Sequence, residues 1–108
     1  MPKKILSASA VPTLVQERLT IWGKCIRKQR ITQNVQAADL CSRMGISDAT
    51  LRRLEKGDPG AGTGIFLSAL LVLGILDLTA PVPDEQLWAT DPRRRVRRPA
   101  AGDHDADF

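Results

Sequence analysis

Only two cysteines, Cys25 and Cys41, and one histidine, His104, occur in the 108 residues. Two thiols do not make a disulfide framework, and with the histidine isolated in the tail they cannot complete a zinc site. Long hydrophobic runs are missing too. The longest, Ile65 to Leu76, is interrupted by Ser68 and Gly74, and it falls short of the roughly 20 residues that a membrane helix needs. The N-terminus lacks the basic, apolar and small-residue succession of a secretory signal. No nucleophile–base set stands out. The glycine-rich Gly60-Ala61-Gly62-Thr63-Gly64 lacks the lysine that follows in a phosphate-binding loop. The expectation is a small, soluble, cytoplasmic protein, not an enzyme, with no cofactor and no metal site.

Hydrophobic residues make up 43% of the chain, enough for one small core. A core of this size supplies only about 3–5 kcal/mol, and a partner subunit is a common supplement. Acid is scarce relative to base: 16 Lys and Arg face 12 Asp and Glu, for a net charge of +4. The charges are segregated. Residues 1–60 hold eleven bases and five acids, residues 61–92 hold four acids and no base, and residues 93–98 hold five arginines and no acid. The last ten residues add Asp103, Asp105 and Asp107. Segregation of this kind suggests a basic face for a polyanion and a separate region for another contact, although charge runs also occur as plain solvated surface.

Residues 1–12 have no clear period and contain Pro2 and Pro12; they read as a flexible arm with room for a short strand from Ile5. From Thr13 the pattern turns helical. Val15, Leu19, Trp22 and Ile26 form one apolar stripe, with Arg18, Lys24, Arg27 and Lys28 opposite, to about Arg30. In that stripe Trp22 reads as core rather than as a stacking platform, and Cys25 and Cys41 read as thiols buried on packed helices. Thr32-Gln33-Asn34 reads as a loop. A second helix spans Ala37 to Met44, with Gln36 at its cap. A third spans Asp48 to Lys56, capped by Ser47, with Leu51 and Leu54 inward and Arg52, Arg53 and Lys56 free to point out. Glu55 reads as a stabilising partner for a nearby arginine. Gly57-Asp58-Pro59-Gly60 is a strong stop. A fourth helix, Gly64 to Leu73, is apolar nearly all round, so part of it is expected to be covered by a second subunit. Ile75, Leu76 and Leu78 suggest a short fifth helix. Asp84 to Trp88 suggests one more turn, anchored by Leu87 and Trp88. Residues 13–80 are thus expected to form an all-α domain, and residues 81–108 a C-terminal extension that is disordered in its Arg-rich part.

The informative feature is the junction Met44-Gly45-Ile46-Ser47. Glycine permits a sharp reversal, the isoleucine plugs the core beneath it, and the serine caps a helix whose first turn projects outward. Such a helix-turn-helix can lay its second helix in a DNA major groove. The run from Trp22-Gly23 through Ile26-Arg27, Ala38-Asp39-Leu40 and Gly45-Ile46-Ser47 to Thr50-Leu51-Arg52-Arg53-Leu54-Glu55-Lys56-Gly57-Asp58-Pro59-Gly60 resembles the lambda-repressor-like XRE family, within it the HipB-like antitoxins. The likeness spans about Leu19 to Leu78. It implies a five-helix domain that dimerises and binds an inverted-repeat operator in double-stranded DNA as a repressor. It further implies an antitoxin that autoregulates its operon and holds a HipA-like kinase toxin inactive.

By the same resemblance, Asp48, Ala49 and Arg53 fall on base-reading positions. Ser47, Thr50, Arg52 and Lys56 fall on positions that meet phosphate or cap the helix. Ala37 stands where a phosphate-binding glutamine is common, with Gln36 adjacent. Asp48 can accept from a cytosine amino group, or it is a plain first-turn acid, which is the preferred reading. Arg93, Arg94, Arg95, Arg97 and Arg98 are expected to touch DNA or an acidic protein. The alternative function is a protein-interaction adaptor that has lost DNA binding and uses the fourth helix and Leu87-Trp88.

Overall fold

The computed structural model describes residues 11–91, and among these every regular element is helical. Five α-helices follow one another: α1 Thr13–Thr32, α2 Ala37–Met44, α3 Asp48–Lys56, α4 Thr63–Val72 and α5 Leu76–Thr79. Short 3₁₀ turns occupy Pro59–Ala61 and Glu85–Leu87. Residues 1–10 of the expected arm 1–12, with the strand from Ile5, and the arginines of residues 93–98 lie outside the described residues.

Each helix ends for a local reason. The carbonyl of Pro12 accepts the first α1 hydrogen bond, from Gln16 N–H at 3.0 Å. At the far end Asn34 takes a left-handed conformation with φ +57°, and Val35 N–H returns to the Arg30 carbonyl at 2.9 Å. This closure lets α1 run two residues past Arg30, where the sequence pattern alone suggested it would stop. Gly45 ends α2 with φ +70°, a conformation that costs a side-chain-bearing residue energy. Ser47 then opens α3, its hydroxyl accepting from Thr50 N–H at 3.1 Å. The fourth helix begins and ends one residue earlier than the pattern indicated, at Thr63 and Val72.

The core joins α1, α2, α3 and α4. Ile26 from α1, Leu40 from α2, Leu54 from α3, and Ala69 and Leu70 from α4 are fully buried, with Phe66 and Leu51 nearly so. Trp22 packs at the edge of this cluster, its ring tilted on Phe66 with centroids 5.9 Å apart. Most of α4 is covered by the chain itself: Phe66, Ala69 and Leu70 are buried, Ile65, Leu67 and Val72 are half-buried, and Leu71 faces outward.

Two apolar expectations, Val15 in the stripe and Leu87 with Trp88 as anchors, need correction. Val15 is 47% exposed. The α1–α3 packing begins at Gln16, which donates to the carbonyl of Gly57 just past the end of α3, so the turn before it runs beyond the helix below. The short fifth helix expected from Ile75, Leu76 and Leu78 is present as α5, with Ile75 turned inward and Leu78 exposed. Leu87 and Trp88 do not anchor the segment after α5. Both are exposed, and the Trp88 indole N–H bonds locally to the Pro83 carbonyl at 3.0 Å.

Two features set the α1–α3 distance. Gly23 is buried, and a Cβ there would lie 2.6 Å from the Leu54 carbonyl oxygen and 2.7 Å from that of Glu55. The helices therefore touch backbone to backbone. Seven residues further along α1, Arg30 grips Glu55 of α3, Nε to Oε2 at 2.8 Å and Nη2 to Oε1 at 3.3 Å. Glu55 does serve a nearby arginine, but one on another helix. That pair holds the guanidinium more firmly protonated, against the opposing effect of burial. We expect Gly23→Ala to destabilise the protein by about 1–3 kcal/mol, because fixed carbonyls cannot yield and the clash outweighs alanine's better helix propensity. Denaturant unfolding would measure it; an unchanged or higher midpoint would show that the two helices separate freely.

Candidate nucleic-acid interface

The α2–turn–α3 unit presents one outward face. Leu40 and Cys41 of α2 and Leu51 and Leu54 of α3 are buried, so both helices are fixed by their inner sides. Ile46, in the turn, is half-buried against the same core, and its N–H bonds to the Cys41 carbonyl at 3.0 Å. What remains outside is Gln36, Ser47, Asp48, Ala49, Arg52, Arg53 and Lys56, all exposed, with Thr50 half-buried. Ala49, Arg52, Arg53 and Lys56 recur at helical spacing and share one side of α3. The structure thus brings the α3 residues singled out from the sequence onto one surface.

Their partners divide them. The Ser47 hydroxyl is used as a helix cap and also meets the Thr50 hydroxyl at 3.1 Å. Gln36 precedes α2 without capping it through its side chain, which leaves its amide unused by the helix. Asp48 lies in the first turn of α3, where an acid favours the helix dipole. Its carboxylate faces the Cys41 thiol at 3.6 Å and Arg52 at 3.8 Å. Burial, helped by Asp48, pushes the Cys41 thiol up from its ordinary range, so it stays protonated and unreactive. Cys25 is half-buried rather than buried.

Arg53 is not free, as the sequence pattern had suggested. Its Nε donates to Asp58 Oδ2 at 3.1 Å, while Asp58 Oδ1 accepts from Gly60 N–H at 2.8 Å. Asp58 escaped the sequence reading because Gly57-Asp58-Pro59-Gly60 reads as a stop signal whatever its side chains do. The spacing of Asp58 five residues after Arg53, across a helix end, carries no periodic signature. Arg43, exposed in the last turn of α2, was likewise counted only as charge.

Elsewhere the surface offers less. An open groove of about 330 Å³ runs between α1 and α5, lined by Ile21, Lys24, Cys25, Lys28, Ile75 and Leu78 among others. Among the described residues no cluster of His, Cys, Asp or Glu could hold a metal ion, and no helix is long and apolar enough to cross a membrane.

Asp58 makes the interface sensitive to acid. The Gly60 N–H, and after it Arg53, hold its carboxyl below the ordinary value of 3.8. A group depressed in the folded state adds stability above its unfolded pKa, and that stability is lost as pH falls through the folded pKa. Solvent reaches the pair, so the effect is small. Comparing unfolding midpoints below pH 5, we expect Asp58→Asn to lose less stability on acidification than the wild type; parallel curves would show that the pair does not persist in solution.

No protein-family model matches the chain, and neither a curated protein nor a solved structure matches it.

Proposed function

We propose that this chain is a dimeric, sequence-specific DNA-binding repressor of the helix-turn-helix type. The observation that carries this reading is the α2–turn–α3 unit: two short helices fixed on their inner sides, joined by Gly45, with Ala49, Arg52, Arg53 and Lys56 on the outer side of the second. A helix presented this way suits the width of the major groove, with its basic side chains within reach of bases and phosphates. The finer reading is an antitoxin that represses its own operon and restrains a HipA-like kinase toxin. It draws on the motif resemblance, and a kinase-like reading frame beside the gene would support it.

Exposed Leu78, Leu87 and Trp88 favour a second reading, an adaptor that binds only protein. DNA titrations separate the two. In the repressor reading, Arg53→Ala weakens binding to the preferred duplex by about 1–3 kcal/mol and relaxes base preference. Arg52→Ala weakens all sequences alike and lowers the salt slope by about 0.9. Unchanged affinity in both variants, at several salt concentrations, would remove the helix-turn-helix reading.

The dimer is expected to use α4, where Leu71 is 63% exposed while the other large apolar residues of the helix are buried or half-buried. A two-fold dimer spaces its recognition helices about one DNA turn apart, roughly 34 Å, which calls for an inverted-repeat operator. Sedimentation at low micromolar concentration should give a dimer, and Leu71→Glu should shift it to monomer. Monomer alone for the wild type, free and on DNA, would refute it.

A further inference from the structure

We propose that Asp58 sets the base preference of the interface by holding Arg53 as a reader of guanine, an inference that rests on the DNA-binding reading above. A relay of two hydrogen bonds carries it. The backbone N–H of Gly60 fixes one oxygen of Asp58 at 2.8 Å, and the other oxygen takes Arg53 Nε at 3.1 Å. The guanidinium also lies against Gly60, where a Cβ would come 2.8 Å from Nη2. Arg53 is therefore held at its Nε by a carboxylate that is itself held by the backbone, and it rests on the one residue type that leaves it room.

The chemistry of the guanidinium does the rest. Its Nε–H is occupied by Asp58, and the edge formed by the two terminal nitrogens carries the parallel donors that match guanine O6 and N7. An arginine on a free stem reaches phosphates of any sequence as readily as a base. One held at Nε must break its pair to do so, and the Asp58 carboxylate repels the phosphate it would approach. Part of its ordering is also in place before DNA arrives, so a correct base gains more from it. Arg52 is the contrast: its nearest carboxylate, Asp48, is 3.8 Å away, and its side chain is 70% exposed. Arg52 suits sequence-blind phosphate contact, and Arg53 suits discrimination.

The test starts by selecting the preferred duplex of the full chain from a random pool, and identifying the guanine whose preference is lost in Arg53→Ala. Affinities are then measured for that duplex, for the same duplex with the guanine pair replaced by adenine–thymine, and for a random duplex. Asp58→Asn keeps an oxygen for the Gly60 N–H but no charge for Arg53. Gly60→Ala adds a methyl that meets only side-chain atoms, Arg53 Nη2 at 2.8 Å and Asp58 Oδ1 at 3.2 Å, so the fold tolerates it while the relay holding the guanidinium is disturbed. The wild type is expected to prefer guanine by about tenfold or more. Both variants should bring that ratio to within about threefold, while Asp58→Asn binds the random duplex as well as the wild type or better, having lost a negative charge. A partly unfolded variant would instead lose affinity for all three duplexes; should Asp58→Asn do so, Gly60→Ala decides. Wild-type guanine preference retained in the folded variants overturns the role of Asp58 and leaves DNA reading by Arg53 intact. An Arg53→Ala protein with undiminished base preference, or a wild type that enriches no sequence, overturns this inference together with its foundation.

Discussion

The close approach of α1 to α3 is the constraint on which the rest depends. At Gly23 the two backbones touch, and at Arg30 and Glu55 they are tied by a two-point ion pair only 16% and 11% exposed. A pair so placed stabilises little relative to an apolar substitute, but leaving either charge without the other is costly, which makes it a device for geometry. It acts on the same helix that carries the outward residues. With Gly23 setting the separation near Leu54, and Arg30 setting the register at Glu55, the roll of α3 about its own axis is fixed. Roll decides which side chains face outward: a turn of about 100° moves the outward face by one residue.

The second helix depends on that placement. It is only eight residues long, too short to persist alone in water. Leu40 and Cys41 hold it against the core, and Gly45 and Ile46 deliver the chain to Ser47 at the position where its hydroxyl can cap α3. The cap matters more here than on a long helix, because α3 has nine residues and its first turn is a large part of it. Packing from one side and capping at one end together leave the outer side of α3, apart from the exposed Arg53–Asp58 pair, without a structural task. Side chains there are the ones the fold leaves to choose for function.

This division explains what was legible in the sequence. The bounds of α2 and α3, the cap at Ser47 and the buried Leu51 and Leu54 could be read because each depends on residues within a turn of one another. Residues whose environment is set by where another helix ends could not. Val15 continues the stripe of Leu19, Trp22 and Ile26, yet α3 stops before reaching it. Leu87 and Trp88 are apolar, but the short 3₁₀ turn that carries them does not return to the core. The all-round apolar pattern of α4 reflects coverage by its own chain at Phe66, Ala69 and Leu70, and only Leu71 remains to ask for another surface. Asp58 was hidden for a different reason: it acts across a turn, through a backbone N–H, and no composition or period reports that.

The same relay changes how the charge of the interface should be counted. By sequence, α3 and its turn hold three bases, Arg52, Arg53 and Lys56, and three acids, Asp48, Glu55 and Asp58. In the fold, Asp48 and Asp58 stand beside two of those three bases, and Glu55 is turned inward to Arg30. With Glu55 spent on Arg30, the outward excess is therefore about one positive charge. Sequence-blind affinity scales with the number of phosphates neutralised, each adding about 0.9 to the salt slope, so α3 by itself would hold random DNA weakly. A surface that is modest in net charge but firm in the placement of its donors gains little from any duplex and more from the right one. The exposed bases of α1, Arg18, Lys24, Arg27 and Lys28, are not balanced in this way by acids beside them in sequence, apart from Glu17. Attraction at a distance and recognition at contact would then fall to different helices, one tuned by charge and the other by position.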